Sequence, residues 1–301
     1  MPIPFSFRQL EYFVAVAEHG SVTQAAQRCN VSQPSVSVAI ADLEAIIGRK
    51  LFHRGAGQKL SITPAGRQLL VDARTTLAAA GGIGGGDAAS GEIGVACFRD
   101  LGALYLPRLM TGFARANAEV DFRIQEGDLA EVHNLIVNGQ CELALTYHTG
   151  PATAGLKTIG IDRLSAHVLL PKSHPLADSK TIGLEQLVND RMILENYPST
   201  IAFFLPLLNR HGLGEENCQR VSSFEMQRGL IANGWGVGLS YARPMPDSAY
   251  DGTPLSCLPL AGDAPVLEVV VAHLGERTLS RAARAFLTYV RSVARPLSPT
   301  S

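Results

Sequence analysis

Gln33, Ser35 and Ser37 alternate with Pro34 and Val36 a few residues after Asn30, and Val38 and Ala41 follow them. Each of these side chains has a defined hydrogen-bonding or contact capacity. A glutamine amide both gives and accepts a hydrogen bond, the pair that adenine offers at its major-groove edge, and a valine or alanine methyl can touch the methyl of thymine. Serine and threonine hydroxyls, Thr63 among them, can bond phosphate oxygens. Arg54 and Lys59 bracket a Gly-rich segment and would set positive charge beside a backbone or in a minor groove.

Such groups act only if rigid elements hold them out. Leu10, Phe13, Val14 and Ala17 recur at helical spacing, so a helix is predicted from about Ser6 to His19, ended by Gly20. Ser21 caps a second helix, with Gln24 three residues on forming a capping box, and the small Ala25 and Ala26 let a neighbour approach. Ser32 caps a third, in which Pro34 does no harm in the first turn. Val36, Ile40, Leu43 and Ile47 share its buried face, which leaves Gln33, Ser35, Ser37, Val38 and Ala41 at the N-terminal end or on other faces. Gly48 closes it. Leu51-Phe52 and Leu60-x-Ile62 flank the polar run 54–59, which reads as a hairpin wing. Two helices, a turn and a wing are a shape for the DNA major groove.

The chain has 301 residues, 46% hydrophobic and 18% charged, enough for two or three domains with real cores. Net charge is −1, but unevenly placed. Residues 1–75 hold eight basic and five acidic side chains, net +3; the rest hold 18 basic and 22 acidic, net −4. A mildly basic head on a mildly acidic body fits a polyanion at one end only. Cys29, Cys97, Cys141, Cys218 and Cys257 are odd in number and lack a Cys-x-x-Cys pair, so neither a full disulfide framework nor an obvious zinc site is expected. The start Met1-Pro2-Ile3-Pro4 carries no signal-peptide pattern, and no run is long and apolar enough to span a bilayer. Reduced thiols and a cytoplasmic location, with no membrane partner, are the expectation.

The run from Phe7 to Leu70 resembles the winged helix-turn-helix of LysR-type transcriptional regulators. The residues that carry the likeness are Ala25-Ala26, Ser32-Gln33-Pro34-x-Val36-Ser37, Leu43-Glu44, Gly48, Leu51-Phe52-x-Arg54 and Leu60-x-Ile62-Thr63-x-Ala65-Gly66. The resemblance implies DNA contacts at Gln33, Pro34, Ser37 and Arg54. The family often has a basic or polar residue where this chain has Val38, which shifts weight to Gln33, Ser37 and the wing. Ser35, Val38, Lys59 and Thr63 complete the candidate DNA-binding set. Leu69, Leu70, Ala73, Thr76, Leu77 and Ala80 stripe a helix from Ala65 to Ala80 that the resemblance makes a dimerisation helix, followed by a flexible joint at Gly81–Gly86. Gly84-x-Gly86-x-x-Ala89 follows a helix rather than a strand, so it is set aside as a dinucleotide fingerprint.

From residue 91 strands and helices alternate, which predicts a mainly parallel sheet with covering helices. Leu106-Pro107-x-Leu109, Glu126-Gly127, Gly139-x-x-Glu142-Leu143-Ala144-Leu145, His174-Pro175-Leu176-Ala177 and Gly234-Trp235-Gly236-Val237 resemble the family's effector-binding region, an α/β fold like periplasmic solute-binding proteins. The expected architecture is thus multidomain. An all-α winged helix-turn-helix head spans 1–64, and a linker helix with its Gly-rich joint spans 65–90. An α/β body spans 91–301, with subdomain I at about 91–163 and 267–301 and subdomain II at about 164–266.

In such a fold a ligand lies between the subdomains, at carboxyl ends of strands and N-termini of helices. That selects Cys97, Phe98, Arg99 and Asp100; Tyr147 and His148; Pro198, Ser199 and Thr200; and Phe224 as effector-binding candidates. Free helix N–H groups favour an anion, and with Arg99 nearby a small carboxylate is the expected effector. Arg99 and Asp100 paired with each other on the surface are the alternative. No catalytic motif is present, so no enzyme activity, metal or cofactor is expected. A solute-binding protein without DNA activity and a thiol-based redox-sensing regulator acting through Cys218 or Cys97 are the competing readings. The resemblance implies promoter DNA with an inverted repeat, a small-molecule effector and a homodimer or homotetramer as partners, and leaves RNA polymerase open.

Overall fold

The computed structural model describes residues 4–53, 60–81, 89–262 and 264–294. The expected wing contacts Arg54 and Lys59, and most of the glycine joint, lie outside them. The head comprises α1 (Phe7–His19), α2 (Val22–Arg28), α3 (Gln33–Ile47) and a two-stranded ladder of β1 (Phe52–His53) with β2 (Ser61–Ile62). The last two strands are antiparallel, with Phe52 opposite Ile62. A capping box forms at Ser6 and Gln9; at Ser21 the hydroxyl accepts the Gln24 N–H. Ser32 accepts the Ser35 N–H, and Gly48 ends α3 at φ +71, a left-handed geometry that costs a glycine little. Phe13, Val36, Ile40 and Leu43 fill the core beneath α3, and Phe13 meets Phe52 at 5.5 Å between ring centroids.

α4 (Pro64–Gly81) leaves the head. Its apolar stripe is not wholly left for a partner subunit. Leu70 and Ala73 are 2% and 1% exposed in the head core, and Arg74 reaches Glu18 of α1 at 2.6 Å. The stripe is wider than one seam, so its two best-centred residues pack at home. Thr75 Oγ1 donates to the Thr278 carbonyl at 3.3 Å, which ties the same helix to the body.

The body opens with β3 (Gly91–Phe98), α5 (Arg99–Ala114), β4 (Val120–Gly127), α6 (Leu129–Val137), β5 (Leu143–Tyr147), α7 (Gly150–Thr153) and β6 (Lys157–Leu164). The chain then crosses to β7 (His167–Pro171), β8 (Met192–Glu195), α8 (Pro198–Arg210), β9 (Cys218–Val221), α9 (Phe224–Ala232), β10 (Val237–Ser240) and β11 (Leu255–Pro259). It returns as β12 (Leu267–His273) and α10 (Arg281–Val293). The first sheet has the order β4-β3-β5-β12-β6 and the second β11-β7-β10-β8-β9. Neither is mainly parallel. β4, β3 and β5 run parallel, as do β9, β8 and β10, but the returning β12 is antiparallel to β5 and β6, and β7 is antiparallel to β10 and β11. Crossover helices enforce parallel neighbours; strands that enter from the other subdomain or by a loop have no such constraint.

α10 shows how little is needed to seat a covering helix. Ser280 caps it, Glu142 accepts from the Ser280 N–H and hydroxyl, and Phe286, Leu287 and Val290 fall on one face. Phe286 packs against Phe113 and Phe122 at 5.2 and 5.0 Å. Each such buried ring contributes about 1.5–3 kcal/mol by leaving water.

Candidate functional site

The first site is the open side of α3. Its apolar face is spent on the head core, so the residues between the apolar positions must face out. Gln33, Pro34 and Ser35 are exposed, Ser37 is half-buried, and Val38 is 59% exposed. Ser35 shares a 2.7 Å hydrogen bond with Ser32 across the cap, which ties down the first turn. Thr63 belongs elsewhere. It is 5% exposed, donates to the Lys50 carbonyl at 2.7 Å and accepts the Gly66 N–H at 3.0 Å. Its hydroxyl is committed to starting α4, so it is withdrawn from the phosphate-binding candidates.

Two residues in the quoted motifs prove to brace this face. Glu44 is buried; one carboxylate oxygen accepts the Leu51 and Phe52 N–H groups at 2.8 and 3.4 Å, and the other meets Lys50 Nζ at 2.7 Å. Burial alone would raise its pKa, but the Lys50 and backbone hydrogen bonds outweigh it and hold the carboxyl below its usual value. Gly66 lets α4 approach, since a Cβ there would stand 2.3 Å from the Leu51 carbonyl oxygen. The hairpin is therefore hung directly from the C-terminal end of α3.

The second site is a cavity of about 450 Å³ between the two sheets, within the size range of small-molecule pockets. Carboxyl ends of strands converge on it, as the crossover topology requires. β3 leads in Phe98 and Asp100, β5 Tyr147, β8 Glu195, and β10 Leu239 and Ser240. The first turns of α8 add Ser199, Thr200, Ala202 and Phe203, and α6 adds Leu129, His133 and Asn134. Phe98 meets Tyr147 at 5.5 Å, and Tyr241 meets Tyr147 and Phe203 at 6.5 and 5.8 Å, so an aromatic wall runs across both subdomains.

Of the residues expected here, Phe98, Asp100, Tyr147, Ser199 and Thr200 meet at the cavity. Five do not. Cys97 points to the other face of β3, fully buried against Gly102, where burial and then Glu126 push its thiol up to about 12. Arg99 is partly exposed; it pairs with Glu131 at 3.1 Å and lies over the Tyr197 ring, rather than pairing with Asp100. His148 is exposed, with its backbone N–H on the Glu268 carbonyl. Pro198 is exposed at the start of α8, and Phe224 lies under the Arg228 guanidinium. For Arg99 the cause is local: α5 begins there, directly after β3, so Arg99 and Asp100 sit in a helical turn and point in different directions.

Glu195 was not expected at the site. It follows the apolar run Met192-Ile193-Leu194, and its place at the carboxyl end of β8 was the available signal. It is 5% exposed, and its carboxyl lies close enough to that of Asp100 for the two to interact. Burial, then the neighbouring Asp100 carboxylate, raises its pKa, and burial raises that of Asp100. Two carboxyls this close hold one proton between them. Among the described residues no lysine or arginine lines the cavity. His133 and the first turns of α6 and α8 do line it.

Residues 7–67 match the model of the "bacterial regulatory helix-turn-helix protein, lysR family", and residues 86–295 that of the "LysR substrate binding domain". The transcriptional regulator CfxR of Cupriavidus necator is 27% identical, over 95% of this chain and 90% of that one. The LysR family regulator HinK of Pseudomonas aeruginosa is 31% identical, covers 97% of this chain and all of its own, and superposes with a TM-score of 0.62. Full-length OxyR of the same species covers both chains completely with a TM-score of 0.77; at 23% identity it shows the shared fold. Two family models that together take in the head and nearly all of the body, in the order the fold presents them, leave one assignment: this chain belongs to the LysR family of transcriptional regulators.

Proposed function

We propose that this regulator reads duplex DNA with the exposed N-terminal side of α3 and responds to a small molecule held between the subdomains of its body. The observation that carries the first half is α3 itself: apolar side chains locked into the head core behind, and Gln33, Pro34, Ser35 and Val38 open to solvent in front. Two heads in a symmetric homo-oligomer would meet two half-sites of an inverted repeat. CbnR, 23% identical to this chain with a TM-score of 0.54, has been solved in full length with its target DNA. Arg54 and Lys59 of the wing would add phosphate or minor-groove contacts. No described helix is long and apolar enough to cross a membrane. A cytoplasmic, non-enzymatic regulator is the reading these features support.

Selection from a random duplex library tests it. The wild-type chain is expected to enrich a two-fold repeat. Gln33→Ala should flatten the preference at one base position per half-site by about 1–3 kcal/mol, because a bidentate amide–adenine pair is worth that much discrimination. An unaltered preference would remove Gln33 from the interface, and no enrichment by the folded wild type would end the DNA-reading proposal.

For the cavity, Ala202→Trp is expected to fill the space and abolish ligand response while operator binding persists. A ligand at about a hundred times its Kd stabilises the native state by about 2.7 kcal/mol, read as a raised melting temperature in the wild type and lost in the variant. A ligand that stabilises both chains equally binds somewhere else. Thiol sensing finds little support here: burial raises all five thiols, Cys218 with help from Glu215 and Glu216, and a raised pKa withholds the reactive thiolate.

A further inference from the structure

The walls of the cavity show which chemistry it accepts. Glu195 is 95% withdrawn from solvent, and its Oε2 has no hydrogen-bond partner. Its neighbour Asp100 lines the same space. A buried polar atom left unpaired costs free energy that a partner in the cavity would recover. The surrounding surface is aromatic: Phe98, Tyr147, Phe203 and Tyr241 line it, and ring faces attract cations. The charge of Arg99 reaches Asp100, but its guanidinium is engaged by Glu131 and Tyr197 and does not line the cavity.

We infer that the effector is an amphipathic organic cation, an ammonium or amidinium carried on an aromatic or aliphatic body, with its charged end on the Asp100–Glu195 pair and its body against the aromatic wall. This rests on the cavity being the effector site, and it adds the chemical class. An anion would place a second negative charge beside the singly charged carboxyl pair in a low-dielectric space. A neutral apolar molecule would fill the volume but leave the Glu195 oxygen unpaired. A hydrogen-bond-donating cation satisfies the oxygen, the charge and the rings together.

Binding such a cation displaces the proton that the two carboxyls share. Affinity for the cation should therefore rise with pH between about 6 and about 9. The groups facing the pair are Arg99 on α5, Glu225 at the start of α9, Tyr147 on β5 and Tyr197 before α8. The three other than Arg99 are acids, and burial raises each of them; Arg99 carries the opposing charge, and His133 lines the same cavity with its Nε2 on the Ala154 carbonyl.

The test uses three probes of one shape on the full chain, by calorimetry or thermal shift: phenethylammonium, phenethyl alcohol and phenylacetate. The expected order is ammonium, then alcohol, then carboxylate. In Glu195→Gln the ratio of ammonium to alcohol affinity should fall about tenfold, the scale of a desolvated charge contact. Should Glu195→Gln not fold, Asp100→Asn is read in the same way, and the wild-type order stands by itself. Tightest binding of phenylacetate, or ammonium no tighter than alcohol, overturns the cationic class. Alcohol binding that Ala202→Trp blocks would then leave the effector site in place. If none of the three binds, the class is overturned as well, and the site is judged on Ala202→Trp with other ligands.

Discussion

Phe13→Ala is expected to remove about 3–5 kcal/mol from the stability of the head, the range for deleting a buried ring from a close-packed core. Phe13 has no exposed surface and stands where α1, α3 and the hairpin meet, against Phe52 at 5.5 Å. Whole domains hold only about 5–15 kcal/mol, and one this small lies toward the lower end. The head should populate unfolded states and DNA affinity should collapse. The body should be spared, because its sheets share no core with the head. The single tryptophan, Trp235, lies in the body and reports on it alone. Amide exchange should show fast exchange confined to α1–α3, the hairpin and the part of α4 packed on them, while tryptophan fluorescence melts at the wild-type temperature. Operator affinity within about twofold of wild type would mean that this ring is not a keystone of the head.

Glu44→Ala should be nearly as damaging, by another route. The Lys50 end of the interaction is exposed and worth little. The two backbone N–H groups of Leu51 and Phe52 lose their acceptor, and an orphaned buried donor costs about 1–3 kcal/mol. They sit where the hairpin leaves α3, so the wing should loosen first, and DNA binding should weaken more than the melting temperature of the head implies. The same residue gives the head an acid limit. The folded-state pKa of Glu44 lies below its unfolded value, so its contribution is complete above the ordinary glutamate value of about 4.3 and is lost as pH falls through the lower folded value. Glu44→Gln keeps an acceptor without the charge. It should flatten the pH dependence of head stability in that acid window while costing less than alanine at neutral pH. Parallel pH profiles for wild type and Glu44→Gln would show that this carboxylate does not set the acid limit.

Much of the head was legible because its signals are local. A serine before a helix bonds an N–H three residues on, and Val36, Ile40 and Leu43 repeat at the helical period; neither needs knowledge of distant chain. The body was legible in part. Strands with continuous apolar runs, such as Leu143–Tyr147 and Met192–Glu195, stood out. β6 and β11 did not. Lys157–Leu164 breaks the period of two with the polar pairs Lys157-Thr158 and Asp162-Arg163 at an edge of the first sheet, and Leu255–Pro259 ends in proline at an edge of the second, where one side of the ladder needs no partner. α5 and α8 start at Arg99 and Pro198, where Phe98 and Tyr197 enter the helices with no side-chain cap to announce them.

What the amino-acid order determined alone is the kind of protein: caps, apolar periods and the dense motifs from Ala25 to Gly66 suffice for a helix-turn-helix head, and strand–helix alternation for a two-part body. The character of the cavity was decided by folding. Asp100 and Glu195 come from different subdomains, and neither carries a local sign that it will meet the other. The Asp100–Glu195 pair with its unpaired oxygen exists only once the carboxyl ends of β3 and β8, strands of two different sheets, meet at the cavity, and Arg99 finds Glu131 only once α5 packs beside α6. Short-range hydrogen bonds and periodicity can be read along a chain, whereas desolvation and charge pairing depend on what the rest of the chain places within a few ångströms.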